Sequence, residues 1–185
     1  MASCSPRGPA LQAGIRPFLI GRPLLLRRPF LLGAAVLLGL AGCEKPPPPP
    51  PPTVAIVQIN TTADVNSLPG APGVPVKLRV YQLASAAAFT GAEFFPLYNA
   101  DAAALGPDLV KKDEMVMTPS GTKTLNLTPS DQVKSIAVFG AYARFGAVIW
   151  RVNADVPPHA TTTFTVTAGA DGLKIVATPG KPAAP

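Results

Sequence analysis

The 185-residue chain sets 16 Lys and Arg against 10 Asp and Glu, a formal charge of +6, and has one histidine and two cysteines. Five of the cations (Arg7, Arg16, Arg22, Arg27 and Arg28) and no anion precede Cys43, which leaves 11 cations against 10 anions from Cys43 onward. That near-neutral, scattered balance excludes a nucleic-acid-binding domain. One histidine with no thiol beyond Cys43 excludes a zinc cluster of the usual ligands.

The basic opening is followed by an apolar run from Phe30 to Leu40 and then by Leu40-Ala41-Gly42-Cys43. A basic region, a short apolar region and a small-residue cleavage site describe a secretory signal. The run falls short of the roughly 20 apolar residues that a membrane-spanning helix needs. A cysteine immediately after small residues is the pattern of bacterial lipoprotein cleavage and acylation. Residues 1–42 are therefore expected to be removed, and Cys43 to become an acylated first residue, its covalent lipid being the only prosthetic group expected. More than one acyl chain on it gives stable anchoring, at about 0.8 kcal/mol per buried CH₂. Glu44, in place of an aspartate that would resemble an inner-membrane retention signal, points to the outer membrane.

Pro46 to Pro52 cannot enter a helix or a central strand, because proline lacks the N–H and fixes φ. Seven prolines in polyproline II reach about 22 Å, so residues 43–53 read as an anchor and a stiff spacer. Val54 to Ile59 is a β-branched run of strand length. Ser67, Leu68, Pro69, Gly70, Ala71, Pro72, Gly73, Val74 and Pro75 form a loop, since three prolines and two glycines in nine residues forbid regular structure. Val76 to Leu83 alternates and predicts a half-buried strand. From about residue 84 to 106 the chain turns Ala-rich and aromatic, which predicts two or three short helices. They are expected to start at a Ser85 cap, to break near Gly91 and Pro96, and to form an insertion between strands rather than a layer of their own.

Four further strands are expected beyond the insertion and two more after the Pro157-Pro158-His159 corner, in the order Leu109–Met117, Lys123–Leu127, Lys134–Tyr142, Ala147–Ala154, Thr161–Ala168 and Leu173–Ala177, with a tail from Pro179. About eight short strands with regular turn punctuation predict a mainly β fold, an antiparallel β-sandwich over residues 54–178. Trp150, on an alternating strand, reads as core. Lys111 and Lys112 read as the solvated guard of a strand edge.

The segments Pro75-Val76-Lys77-Leu78-Arg79-Val80-Tyr81-Gln82-Leu83, Ala88-Phe89, Phe94-Phe95-Pro96-Leu97-Tyr98 and Ala104-Leu105-Gly106-Pro107-Asp108-Leu109, with Trp150 and the Pro157-Pro158-His159 corner, resemble the TssJ family, the outer-membrane lipoproteins of the type VI secretion system. The resemblance implies a transthyretin-like sandwich on the periplasmic face of the outer membrane. It also implies binding to the periplasmic C-terminal region of the inner-membrane component TssM and, through it, association with TssL. In that family the loop between the first two strands is a principal binding element, which maps onto Asn66 to Val74.

Catalytic chemistry has little to stand on. His159 is alone at a turn, no G-x-S-x-G elbow is present, and Asp113 and Glu114 are adjacent, hence on opposite faces of a strand. No small-molecule substrate is expected, and the reading is a non-catalytic assembly protein. The competing reading is an unrelated outer-membrane lipoprotein with a ligand- or carbohydrate-binding sandwich, which needs exposed aromatics on one face.

Overall fold

The structure is a computed structural model that describes residues 49–180. Cys43, the segment before it, the first prolines of the spacer and residues 181–185 lie outside the described residues. Eight strands are present: β1 (Val54–Thr61), β2 (Val76–Leu83), β3 (Leu109–Met117), β4 (Thr122–Leu127), β5 (Ser135–Gly140), β6 (Arg151–Asp155), β7 (Thr161–Gly169) and β8 (Gly172–Pro179). They form two four-stranded sheets, ordered β4-β1-β7-β8 and β3-β2-β5-β6. Two helices, α1 (Ala87–Gly91) and α2 (Phe94–Leu105), lie between β2 and β3.

The first sheet follows the two-residue period of its sequence. Ala55, Val57 and Ile59 of β1, with Phe164, Val166 and Ala168 of β7, turn inward, while Thr163, Thr165 and Thr167 face out. They meet Val76, Leu78 and Val80 of β2 and Ile136 and Val138 of β5 in the core between the sheets. All strand pairs are antiparallel but one, β1 with β7, which run parallel over their full length. Val54 sits beside Thr161 and Thr61 beside Ala168, so both strands start at the same pole of the sandwich.

The second sheet departs from the expected half-buried strand, because β2 and β5 are buried on both faces. Tyr81, Leu83, Ala137 and Phe139 point away from the first sheet into a second core, which they share with Phe89, Phe94, Leu97 and Leu105 of the helices. The helices are the insertion expected between β2 and β3, and they also cover this sheet as a third layer. Alternation along β2 marks which side chains share a face, and the apolar face of a distant segment decides whether both faces are dry. Pro96 also behaves differently from expectation. It lies in the first turn of α2, where a missing N–H costs nothing, and the irregularity falls instead at Ala100 (φ −148°, ψ 53°). The cap of α1 is Ala86, with the Ser85 hydroxyl accepting the Ala87 N–H at 3.2 Å.

Candidate functional site

β1 links two poles about 26 Å apart, taking about 3.3 Å per residue. The chain arrives from the spacer at Val54, and the Asn66–Val74 loop follows the other end, at Thr61. Neighbouring connections tie themselves to that far pole. Thr61 N–H donates to Gly121 O at 2.9 Å, Thr62 N–H to Ala168 O at 2.9 Å, and Ile149 N–H to Asp171 O at 3.1 Å.

The loop itself is built, not slack. Asn66 adopts φ 53°, a left-handed conformation that asparagine tolerates. Its amide donates to Pro75 O at 3.2 Å, and its Oδ1 accepts the Ala143 N–H at 2.8 Å, which joins the loop to the β5–β6 connection. Ala71 N–H donates to Leu68 O and Val74 N–H to Val65 O, at 2.9 and 3.0 Å. Gly73 presses so close to the chain that an added Cβ would stand 2.3 Å from Ala63 O. Gly70 takes φ 76° in open space. Ser67 is buried, Pro69 and Pro72 are exposed, and Leu68 and Val74 expose 56% and 44% of their surface, apolar side chains offered to solvent on an ordered support. Beside the loop a cleft of about 250 Å³ is lined by Thr62, Asp64, Ile149, Asp171 and Lys174.

A second surface was not foreseen from the sequence. Phe95 and Tyr98 of α2 are exposed, and Phe94 stacks on Phe145 with ring centres 4.2 Å apart and meets Trp150 edge-on at 5.3 Å. Trp150 is only half-buried, at the rim of both cores. The Arg151 guanidinium lies 4.6 Å from its ring centre and donates to the carbonyls of Phe89 and Ala92. A groove of about 630 Å³ runs between Glu93, Phe95, Phe145 and Arg151. These aromatics lie some 50 residues apart in sequence, and only the helical layer brings them together.

Charge is concentrated under α2. Arg79 Nε donates to Glu114 at 2.6 Å, and its Nη1 donates to Leu97 O and Tyr98 O at 2.8 and 3.1 Å, capping the turn that ends at the Ala100 irregularity. Asp101 accepts the Tyr81 hydroxyl at 3.0 Å and Lys112 Nζ at 2.9 Å. Burial opposes the charge on Asp101. The Lys112 and Tyr81 hydrogen bonds and the nearby Arg79 outweigh it and hold the carboxyl below its ordinary range. Glu114 is held low chiefly by the Arg79 hydrogen bond, and burial pushes the Tyr81 hydroxyl up. β3 is the edge strand that its lysines suggested, but Lys112 serves as a clamp on α2 as well as a guard. Glu114 and Asp113 do face opposite ways, Asp113 having a buried Oδ2 with no partner.

Among the described residues no three His, Cys, Asp or Glu side chains are grouped to hold a metal. No helix among them is long and apolar enough to cross a membrane, which says nothing of β-barrels. His159 lies exposed at the tether pole.

The family model T6SS-SciN, describing type VI secretion lipoproteins (VasD, EvfM, TssJ), matches residues 53–171. The T6SS lipoprotein TssJ1 of Pseudomonas aeruginosa is 30% identical with a TM-score of 0.67, covering 71% of this chain and 100% of that one. Lip of Serratia marcescens, a membrane-bound component of the type VI secretion system, is 28% identical with a TM-score of 0.63, covering 68% of this chain and 98% of that one. A chain of the structure described as the T6SS protein TssM C-terminal domain from EAEC shares the fold at 22% identity and a TM-score of 0.56, covering 66% of this chain and 99% of that one. No curated protein sequence matches. These likenesses set aside the reading of an unrelated lipoprotein, and with it any enzymatic one. The chain belongs to the type VI secretion lipoprotein family, the family of TssJ and VasD.

Proposed function

We propose that this chain is the outer-membrane end of the envelope-spanning type VI secretion complex, acylated at Cys43 and reaching into the periplasm to hold the C-terminal region of TssM, and through it TssL. The observation that carries this reading is polarity. The spacer enters at one end of β1, and the ordered Asn66–Val74 loop, with Leu68 and Val74 exposed, stands at the other. A preordered loop loses less entropy on binding than a slack one, and the bonds of Asn66 and the close approach of Gly73 supply that order. The membership of the family, whose members are secretion lipoproteins, and the likeness to a chain of a TssM structure support the choice of partner.

Co-purification tests it. The tagged, detergent-solubilised protein should retain a large inner-membrane protein, and deletion of Leu68 to Gly73 should release it while the melting temperature stays within a few degrees. Retention of the partner by the deleted protein would overturn the loop assignment.

A further inference from the structure

At the tether pole a turn from late in the sequence holds the root of the spacer. Pro51 and Pro52 have no N–H, so this stretch can be fastened only through its carbonyls and through Thr53. His159 does both. Its backbone N–H donates to Thr53 Oγ1 at 2.9 Å, and its Nδ1 lies 3.1 Å from Pro51 O. A carbonyl only accepts, so this contact is a hydrogen bond when Nδ1 carries a proton. Val54 N–H then donates to Ala160 O at 3.0 Å. Thr53, the residue that follows the proline run, is 6% exposed. His159 holds φ 56°, and with this backbone both its N–H and its ring meet the incoming chain.

We propose that the Val156–Ala160 turn is a strap that fixes the direction in which the spacer leaves the domain. A proline run is stiff along its length, yet one unpinned residue at its root would let the domain swing freely. The three bonds close that joint across Pro51, Thr53 and Val54, so that Pro49–Thr53 and β1 move as one body. The Asn66–Val74 loop, at the far end of β1, is then presented away from the tether without having to search for that orientation. This consequence rests on the reading of Cys43 as the anchor.

The test is the distance distribution between two spin labels, on Pro49→Cys and Ala71→Cys of the unacylated mature chain carrying Cys43→Ser, measured by double electron–electron resonance. A single narrow distribution is expected. Thr53→Val combined with His159→Gly, where glycine keeps the positive φ without strain, should broaden it at least twofold with little change in melting temperature. Should that pair lose its fold, His159→Gly alone, at an exposed position, should still broaden the distribution. A chain with Gly-Ser in place of Pro51-Pro52 gives the width of a free joint. A wild-type distribution as wide as that, or one unchanged by His159→Gly, would overturn the strap. The anchor is tested apart from this by the mass of the membrane-extracted protein. Absence of lipid on Cys43 would end the anchor reading and leave the measured widths as they are.

Discussion

At the scale of single residues, two small side chains set geometry that larger ones cannot. Gly172 adopts φ 107° and lies against Ile149, so that an added Cβ would stand 2.2 Å from Ile149 O. This contact is the bridge that closes the β6–β8 side of the sandwich, with Leu173 N–H donating to Ile149 O at 2.7 Å. Gly172→Ala should therefore cost about 3 kcal/mol through forbidden backbone and lost bridging bonds, read as a drop in the denaturant midpoint. Asn66→Gly keeps the left-handed backbone but deletes two bonds of the loop. It should weaken partner capture several-fold while shifting stability by less than about 1 kcal/mol. The composition of the loop was readable from its prolines and glycines. The role of Asn66 was not, because its partner Ala143 is 77 residues away.

At the scale of elements, strands were legible because a period of two survives in any sheet that faces one core. β7 is the clear case, its inward Phe164, Val166 and Ala168 differing in kind from its outward Thr163, Thr165 and Thr167, whereas β1 was legible as a β-branched run of strand length. β2 misled for a physical reason: Arg79 and Tyr81 look like a solvated face, yet they lie beneath α2 with Asp101 as their partner. A buried charge is legible only when its counter-charge is known, and here that counter-charge belongs to another element. The clamp gives the helical layer a pH dependence whose sign follows from the depressed carboxyls. Asp101 and Glu114 titrate lower in the folded chain than in the unfolded one. The unfolded chain therefore takes up protons first as the pH falls. Stability that is full above about pH 4 should be lost below it, with the smaller share from Glu114, whose side chain is 39% exposed and screened by water. Asp101→Asn should cost about 1–3 kcal/mol near neutrality and flatten that acid slope, as followed by melting temperature against pH. An unchanged slope would place the acid sensitivity elsewhere.

At the scale of the whole molecule, a secretion lipoprotein built on a β-sandwich was legible early, since the punctuated strands and the segments of β2 and the helices each carry their own physics. The third layer was not, because the aromatic residues of α1 and α2 show no clean helical period and find their face only against Tyr81 and Phe139. If Cys43 is the anchor, Cys43→Ser should move the domain from the outer-membrane fraction to the soluble periplasm with its melting temperature unchanged, since both cores lie beyond the spacer. A serine variant that stays in the membrane fraction would show that something other than lipid holds it.

The parallel pairing of β1 with β7 bears on what such a bridge must withstand. β1 is flanked on both sides, by β4 and by β7, and carries the spacer at one end and the loop at the other. A pull between membrane and partner would be borne along the covalent backbone of this already extended strand, so the ladder bonds on both its edges would be largely spared rather than opened one after another. Force spectroscopy with handles at residue 49 and in the 66–74 loop should accordingly find a much higher rupture force than handles that peel β3 from the edge of its sheet.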